Sequence, residues 1–421
     1  MGVEAMTTAE AQRGVMADDR EIPGDPATRN GTAFEVFRAF LMLGLTSFGG
    51  PVAHLGYFRQ AFVVRRGWIS DAAYADLVAL CQFLPGPASS QVGMALGLRR
   101  AGGWGLLAAF LGFTLPSALI LLGFALGASA VGGAGGAWVD GVKAAAVAVV
   151  AQAVLGMATS LAAGRNRAAV AGAAAILALL VPGALGQVLA ILFGGLAGLL
   201  AVDAAAAGAS AADSLDVPVR RRTAVAALVL FAALLLVLPL LAASTSAGWA
   251  IMADGFYRSG SLVFGGGHVV LPLLQSEFVE TGRIGREAFL AGYGVTQAVP
   301  GPLFTFAAYV GAASGPAPNG VAGAALAIGA IFLPSALLVV GVLPFWQSLR
   351  RSTRARRALA GINAAVVGLL AAALYDPVFT EGVTSAPTMA IAIASFVALV
   401  AWKVPAYAIV GAAALAGFAV L

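Results

Sequence analysis

The sequence has 421 residues, of which 60% are hydrophobic and only 10% are charged, with a formal net charge of +5. A soluble domain carries about 25% charged residues, so this composition excludes an ordinary water-soluble protein and predicts an all-α polytopic membrane protein surrounded by the lipid bilayer. A single cysteine, Cys81, excludes an internal disulfide, and with only two histidines, His54 and His268, we expect neither a metal site nor another cofactor.

The polarity of the chain divides it into four segments. Residues 1–33 are polar and lack the apolar core of a signal peptide, so they are expected to form a disordered cytoplasmic tail. The other segments are a first repeat over residues 34–203, a linker with one transmembrane helix over 204–247, and a second repeat over 248–421.

Long apolar stretches predict helices in these segments. They are Trp104–Ala128, Trp138–Leu161, Ala168–Leu180, Leu185–Val202, Ala224–Leu241, Val321–Leu343, Ala358–Leu374, Ala386–Trp402 and Ala406–Leu421. In Phe34–Arg99 and Phe256–Ala313 the apolar runs are shorter and are interrupted by Gly and Pro. Two topologies stay open: these short helices are broken and re-entrant, or they cross the membrane as thin spans.

Four phrases occur twice in the same order, about 215–220 residues apart. The pairs are Phe48–Gly50 with Phe264–Gly266 (FGG), Gln82–Pro87 with Gln297–Pro302 (Q–PGP), Thr114–Leu119 with Phe332–Leu337 (LPSAL), and Gly141–Ala145 with Gly361–Ala365. Ordered matches at one offset predict an internal duplication.

The arginines indicate that the two repeats have inverted topology. Short basic loops stay cytoplasmic, yet the loop at Ser129–Ala137 has no charge while its counterpart, Arg350–Arg357, holds five arginines. One helix later the bias reverses, because Gly164–Arg167 is basic and its counterpart contains Asp376. The extra helix Ala224–Leu241 supplies the odd crossing that inversion needs, and the N-terminus is then cytoplasmic. The positive charge thus serves membrane topology, and no nucleic acid is expected as a partner.

The FGG and PGP phrases are predicted to break helices and to form an anion site. A restarted helix presents unpaired N–H groups and the positive end of its dipole, and irregular backbone at membrane depth is tolerated where it lines a cavity. Close packing alone also explains isolated Gly and Pro residues, but the duplicated pairs favour a site. The predicted substrate-binding residues are Phe48, Gly49, Gly50, Gln82, Pro85, Gly86, Pro87, Ser89, Ser90, Gln91, Phe264, Gly265, Gly266, Gln297, Pro300, Gly301, Pro302 and Thr305.

Ionisable residues within apolar stretches provide candidate charges, because charge inside a membrane is costly and is usually functional. Lys143 and its counterpart Asn363 are assigned to the same substrate site, with snorkelling of Lys143 to the interface as the alternative. Candidates for proton coupling or charge are Arg38, His54, Asp76 and His268. For the two histidines a purely structural hydrogen bond is the alternative.

Together these phrases resemble the chromate ion transporter family in its long, two-domain form. The resemblance rests on FGGPVAH (Phe48–His54), RRGW with its following acid (Arg65–Asp71), CQFLPGPASSQ (Cys81–Gln91), LPSAL, and the second copy FGGGH…QAVPGP. It covers the chain from Phe34 onwards. It implies a bacterial inner-membrane protein that exports chromate and confers chromate resistance, with sulfate as a competing or exchanged anion.

The sequence leaves several functional alternatives open. No Walker phrase, HExxH or GxSxG occurs in it, so an ATP-driven pump or a hydrolase is not expected. Chromate efflux coupled to proton entry or to sulfate exchange, a carrier for sulfate or another oxyanion, and an anion channel all fit an inverted-repeat architecture. A homodimer is equally open.

Overall fold

The computed structural model describes residues 31–421 except 49, 131–135, 182–183, 202–218, 265–266, 347–348 and 350–351. Residues 1–30 of the predicted tail, the glycines Gly49, Gly265 and Gly266, and residues 204–218 of the predicted linker lie outside the described residues.

The described part of the chain is helical and contains no strand, as its composition predicts. In the first half the helices are α1 (Ala33–Thr46), α2 (Gly50–Phe58), α3 (Asp71–Phe83), α4 (Ala88–Ala130), α5 (Ala137–Leu161), α6 (Arg165–Leu180) and α7 (Ala184–Ala201). Helix α8 (Arg221–Thr245) connects the halves. In the second half they are α9 (Gly248–Leu262), α10 (Val270–Leu274), α11 (Arg286–Thr296), α12 (Phe306–Ala313), α13 (Gly320–Val342), α14 (Thr353–Ala373), α15 (Ala386–Val400) and α16 (Ala406–Val420).

Five helical segments in the described residues are long and apolar enough to cross a membrane. They are Ala88–Gly127, Ala137–Leu161, Arg221–Thr245, Gly320–Phe345 and Thr353–Gly382. The apolar stretches that predict α6, α7, α15 and α16 do form helices, but these have only 15–18 residues. At about 1.5 Å per residue they are about 22–27 Å long, shorter than the hydrocarbon core of about 30 Å.

The outer surface of the bundle is apolar. In the 18-residue apolar stretch of α8 only 11% of the residues are buried. Val229, Leu236 and Leu240 on this helix are all more than half exposed. An exposed apolar surface of this size is stable only when lipid or a similar apolar medium surrounds it. The protein is therefore a polytopic membrane protein.

The helices break where Gly and Pro interrupt the apolar runs. Helix α1 ends at Thr46 and α2 starts at Gly50, and helix α3 ends at Phe83 and α4 starts at Ala88. In the second half the helical structure stops at Thr296 and resumes in a 3₁₀ turn at Leu303. Helix starts and stops at these phrases agree with the sequence prediction.

Helix α4 is divided by a sharp reversal that the sequence analysis missed. At Ala101 and Gly102 the backbone leaves the helical region, and Gly102 has a φ of +63°. The two arms pack so closely against each other that a Cβ on Gly97 would collide with the carbonyl of Gly105. In the second half α12 and α13 approach each other equally closely at Gly311 and Gly323. Each half thus contains a hairpin with a short arm and a long arm.

The two halves exchange helices in the core. Helix α5 of the first half packs against α15 and α16 of the second, while α14 of the second half packs against α6 and α7 of the first. Glycines allow the close approach: a Cβ on Gly141 would meet the backbone of α16, and a Cβ on Gly361 would meet the backbone of α7. The short hairpins α6–α7 and α15–α16 therefore pack on the opposite half.

Candidate functional site

Each PGP turn is hydrogen-bonded to the residue that precedes the FGG phrase of the other half. The Gly86 N–H donates to the carbonyl of Val263 at 2.6 Å, and the Gly301 N–H donates to the carbonyl of Ser47 at 2.9 Å. Both glycines have positive φ, +118° and +107°, which other residues rarely adopt. The two bonds join equivalent positions of the two repeats, so each turn depends on both halves.

The serines of the LPSAL phrases complete these crossed contacts. A Cβ on Gly86 would overlap with Ser335 Oγ, and a Cβ on Gly301 would lie 2.9 Å from Ser117 Oγ. Ser335 is fully buried, and its hydroxyl has no hydrogen-bond partner among the described residues. The backbone of each PGP turn therefore packs directly on the long helix of the opposite half.

A cavity of about 280 Å³ opens beside the second PGP turn. Its walls come from both halves and include the α15–α16 connection, which we name the tip (residues 401–405). The lining residues are Gly50, Pro51, Val149, Gln152, His268, Thr296, Gln297, Val299, Gly301, Leu303, Leu399, Lys403, Val404, Pro405 and Ala406. The cavity brings the predicted residues Gly50, His268, Gln297 and Gly301 together.

Three helix starts line this cavity. They are Pro51 in the first turn of α2, Leu303 at the start of the turn that leads into α12, and Ala406 at the start of α16. The N–H groups in a first turn have no partner within the helix, and the dipole is positive there. Gln297 and Leu399, at the ends of α11 and α15, also line the cavity. Three helix starts and two helix ends therefore meet at this cavity.

The side chains of the cavity carry no negative charge among its described lining residues. His268 Nδ1 lies 2.8 Å from the hydroxyl of Tyr293, and Gln152 Nε2 donates to a backbone carbonyl of α15 at 3.4 Å. The Gln297 amide nitrogen is buried and makes no hydrogen bond to a described residue. Lys403 supplies an ammonium group. Amides and a cation without a carboxylate suit an anionic ligand.

The hydroxyl and amide donors predicted after the PGP phrases brace the turns instead of facing the cavity. Gln91 Nε2 donates to the carbonyl of Pro85, and Thr305 Oγ1 donates to the carbonyl of Pro302, both at 2.6 Å. Ser89 Oγ lies 3.4 Å from His54 Nδ1. The buried Ser90 likewise lies outside the cavity lining. Side chains of this kind often bond to backbone carbonyls a few residues away in sequence, which is the pattern that Gln91 and Thr305 show here.

The aromatic residues of the FGG phrases are packing contacts. The ring of Phe48 lies 4.6 Å from that of Tyr407 on α16, and Phe264 packs against a cluster that contains Ala190 and Ile191 of α7. Phe48 thus contacts the short hairpin of the opposite half, and Phe264 packs on a cluster to which the opposite hairpin contributes. The other predicted site residues, Gln82, Pro85, Gly86, Pro87, Pro300 and Pro302, lie at the two turns and outside the cavity lining.

Lys143 and Asn363 do not join the cavity. Lys143 Nζ forms ion pairs with Asp140 at 2.6 Å and with Glu287 at 3.3 Å, so two carboxylates neutralise its charge. Asn363 lines a separate cavity of about 220 Å³ together with Arg167 and Arg356. Lys143 and Asn363 were candidates because they occupy equivalent positions in the two repeats. The sequence pattern does not reveal which side chains surround each of them in the fold.

The residues suggested for charge or proton coupling lie in different surroundings. Arg38 is exposed on α1 and Asp76 is half-buried on α3, and neither lines the cavity. His54 is fully buried, with Nε2 3.2 Å from the carbonyl of Ser47 and its ring against Phe113. Since the same carbonyl accepts the Gly301 N–H, His54 supports the crossed contact. Only His268 of the four reaches the cavity.

Two further charged groups lie apart from the cavity. Arg258 Nη2 binds Asp254 at 2.6 Å and Glu277 at 3.0 Å, and both carboxylates are largely buried. At the exposed bend after α2, Arg59 donates hydrogen bonds to Asp71, and these bonds lower the pKa of that carboxyl. In both places carboxylates balance the charge of the arginine, so neither place carries a net positive charge.

Sequence reasoning missed Gln152, Thr296 and Lys403 as cavity residues. The tip that carries Lys403 joins two helices that are each too short to cross the membrane, and it contains Pro405. A lysine between two such helices is the signal that was available. Local sequence does not show that the connection between two such helices lies at a cavity formed by distant segments.

A family model described as "Chromate transporter" matches residues 34–199 and 249–418. The chromate transport protein of Pseudomonas aeruginosa is 31% identical in an alignment of 405 residues that covers 92% of this chain and 92% of the relative. The probable chromate transport protein of Synechococcus elongatus is 26% identical over 90% of this chain and 93% of the relative, and the chromate transport protein of Cupriavidus metallidurans is 27% identical over 86% and 87%. No solved structure matches the chain.

Proposed function

Because this chain belongs to the chromate transporter family, we propose that it is a secondary transporter that exports chromate from the cytoplasm across the bacterial inner membrane. Family membership supports chromate as the transported ion. The sign of the membrane potential supports export, since a dianion leaving a negative cytoplasm gains about 4.6 kcal/mol per 100 mV. Entry of a proton or exchange for sulfate would add to this drive.

The observation that carries the proposal is the cavity at the second PGP turn. Three helix starts, His268, Gln297 and Lys403 converge on it, and none of its described lining residues is acidic. A tetrahedral dianion needs many donors and few acceptors, so N–H groups and an ammonium suit it. We assign chromate binding to this cavity, with Gly50 and Gly301 forming its backbone wall.

Inverted topology of the repeats is part of the proposal. The reciprocal hydrogen bonds of Gly86 and Gly301 and the exchange of short hairpins support a two-fold relation between the halves. In such an arrangement the first half presents to one side what the second presents to the other, which permits alternating access. The basic loops support a cytoplasmic N-terminus.

Transport into everted membrane vesicles tests this function. Vesicles from expressing cells are given radiolabelled chromate under an imposed proton gradient, under an imposed potential, or with sulfate inside. We expect saturable uptake that one of these drives accelerates. Vesicles that contain Gly301→Leu, which blocks the turn beside Ser117, serve as the control and should take up no more than empty vesicles. Uptake that never saturates would instead identify a channel, and uptake of sulfate without chromate would identify a sulfate carrier.

A further inference from the structure

We propose that Lys403 is the cationic ligand of the transported oxyanion, an inference that rests on the proposed function. Lys403 lies on the tip and lines the cavity together with Gln152, His268 and Gln297. It is the one lysine or arginine among the described lining residues. The residue is exposed, and none of the ion pairs between described residues includes it. The charge is thus available to a ligand.

The backbone at the tip holds Lys403 in an unusual conformation. Its φ is +54°, in the left-handed region where glycine normally ends a helix. The Val404 N–H closes this turn by donating to the carbonyl of Ala398 at 3.0 Å. A lysine in this conformation is less favourable than a glycine. A strained residue that lines a binding cavity is often held there for function.

Helix capping is the alternative explanation for Lys403. A cation near the end of α15 interacts favourably with the helix dipole and with the last carbonyls. This explanation and the ligand role predict opposite effects for glycine at position 403. Glycine relieves the backbone and keeps the turn, so a capping role predicts unchanged anion binding. A ligand role predicts that binding is lost while the fold persists.

The lysine content of the chain permits a direct test in the unmodified protein. The sequence has two lysines, Lys143 and Lys403. Lys143 is 6% exposed and is paired with two carboxylates, whereas Lys403 is exposed. The full chain in detergent is acetylated with an N-hydroxysuccinimide ester in chromate, in sulfate or in chloride at equal ionic strength, and each lysine is quantified by mass spectrometry. Lys143 is the internal control.

We expect saturating chromate to slow acetylation of Lys403 at least threefold relative to chloride, with no change at Lys143. Protection by sulfate alone would keep Lys403 as the anion ligand but would contradict chromate as the substrate. Equal acetylation in all three salts, by a protein whose vesicles take up chromate, would overturn the role of Lys403 and leave the proposed function standing.

Substitutions at Lys403 separate charge from fold. For Lys403→Gly we expect an unfolding temperature at least equal to that of the original protein and a half-saturating chromate concentration at least tenfold higher. Lys403→Met should show the same loss of affinity, and Lys403→Arg should retain transport. A half-saturating concentration within twofold of the original for both Lys403→Gly and Lys403→Met would refute the proposal.

Discussion

Replacement of Gly86 by alanine tests the crossed contact between the halves. Gly86 has a φ of +118°, so any Cβ strains its backbone by about 1–3 kcal/mol. The new methyl group would also overlap with Ser335 Oγ and would lie 2.7 Å from Gln91 Nε2. Overpacking of this kind costs about 1–3 kcal/mol. We therefore expect Gly86→Ala to destabilise the protein by about 2–6 kcal/mol in total.

A matched control separates the two contributions. Gly164 also has a positive φ, +91°, but a Cβ there would meet nothing within 4 Å. Gly164→Ala should therefore show only the backbone contribution. A second variant, Gly86→Ala with Ser335→Ala, removes the hydroxyl that the methyl group overlaps, and about half of the overpacking contribution should return. The backbone N–H of residue 86, which donates to the carbonyl of Val263 in the original protein, is chemically unchanged in all these variants.

Thermal unfolding of the purified protein in detergent and chromate uptake by vesicles measure the effects. We expect the unfolding temperature to fall in the order original protein, Gly164→Ala, the double variant, Gly86→Ala. Transport should follow the same order, because the turn that carries Gly86 holds the two halves together. If Gly86→Ala and Gly164→Ala were equally stable, and Ser335→Ala restored nothing, the crossed contact as described here would be wrong.

Three further predictions concern the charged and histidine residues. Arg258→Met leaves the buried carboxylates of Asp254 and Glu277 without their cation and should lower stability by up to about 3 kcal/mol in thermal unfolding; the exposed Arg59→Met should change little, and equal effects would contradict the burial argument. Lys143→Met should leave the half-saturating chromate concentration unchanged in vesicles, and a large increase would return Lys143 to the site. His54→Ala should destabilise the protein by about 2–4 kcal/mol because it leaves a buried void and unpaired groups. His268→Ala should mainly raise the half-saturating chromate concentration. The reverse pattern would exchange the roles of the two histidines.

The sequence by itself determined the solvent, the secondary structure and the duplicated phrases. Apolar composition over long runs leaves only helices that bury their own backbone groups, and Gly and Pro mark where those helices stop. The starts of α2 and α4 and the stop of α11 followed from these local rules. Gly86 and Gly301 were also identified as special positions, since positive φ is a local property of the chain.

Only the tertiary structure decided which of these local features meet. The bonds from Gly86 to Val263 and from Gly301 to Ser47 join residues that are more than 170 positions apart, and no local pattern encodes them. Ser89, Gln91 and Thr305 had the right chemistry for an anion, but their donors bind the nearest partners, which are the turn carbonyls and His54. Lys143 was neutralised by Glu287 from a distant helix.

The same limit explains why Lys403 was missed. Its position at the cavity depends on α15 and α16 folding back as a short hairpin against α5 of the other half. Helix length can be read from the sequence, but the depth at which a hairpin ends is set by its packing against distant helices. Sequence thus determined which segments are helical and where they break, and long-range packing determined which side chains face the cavity.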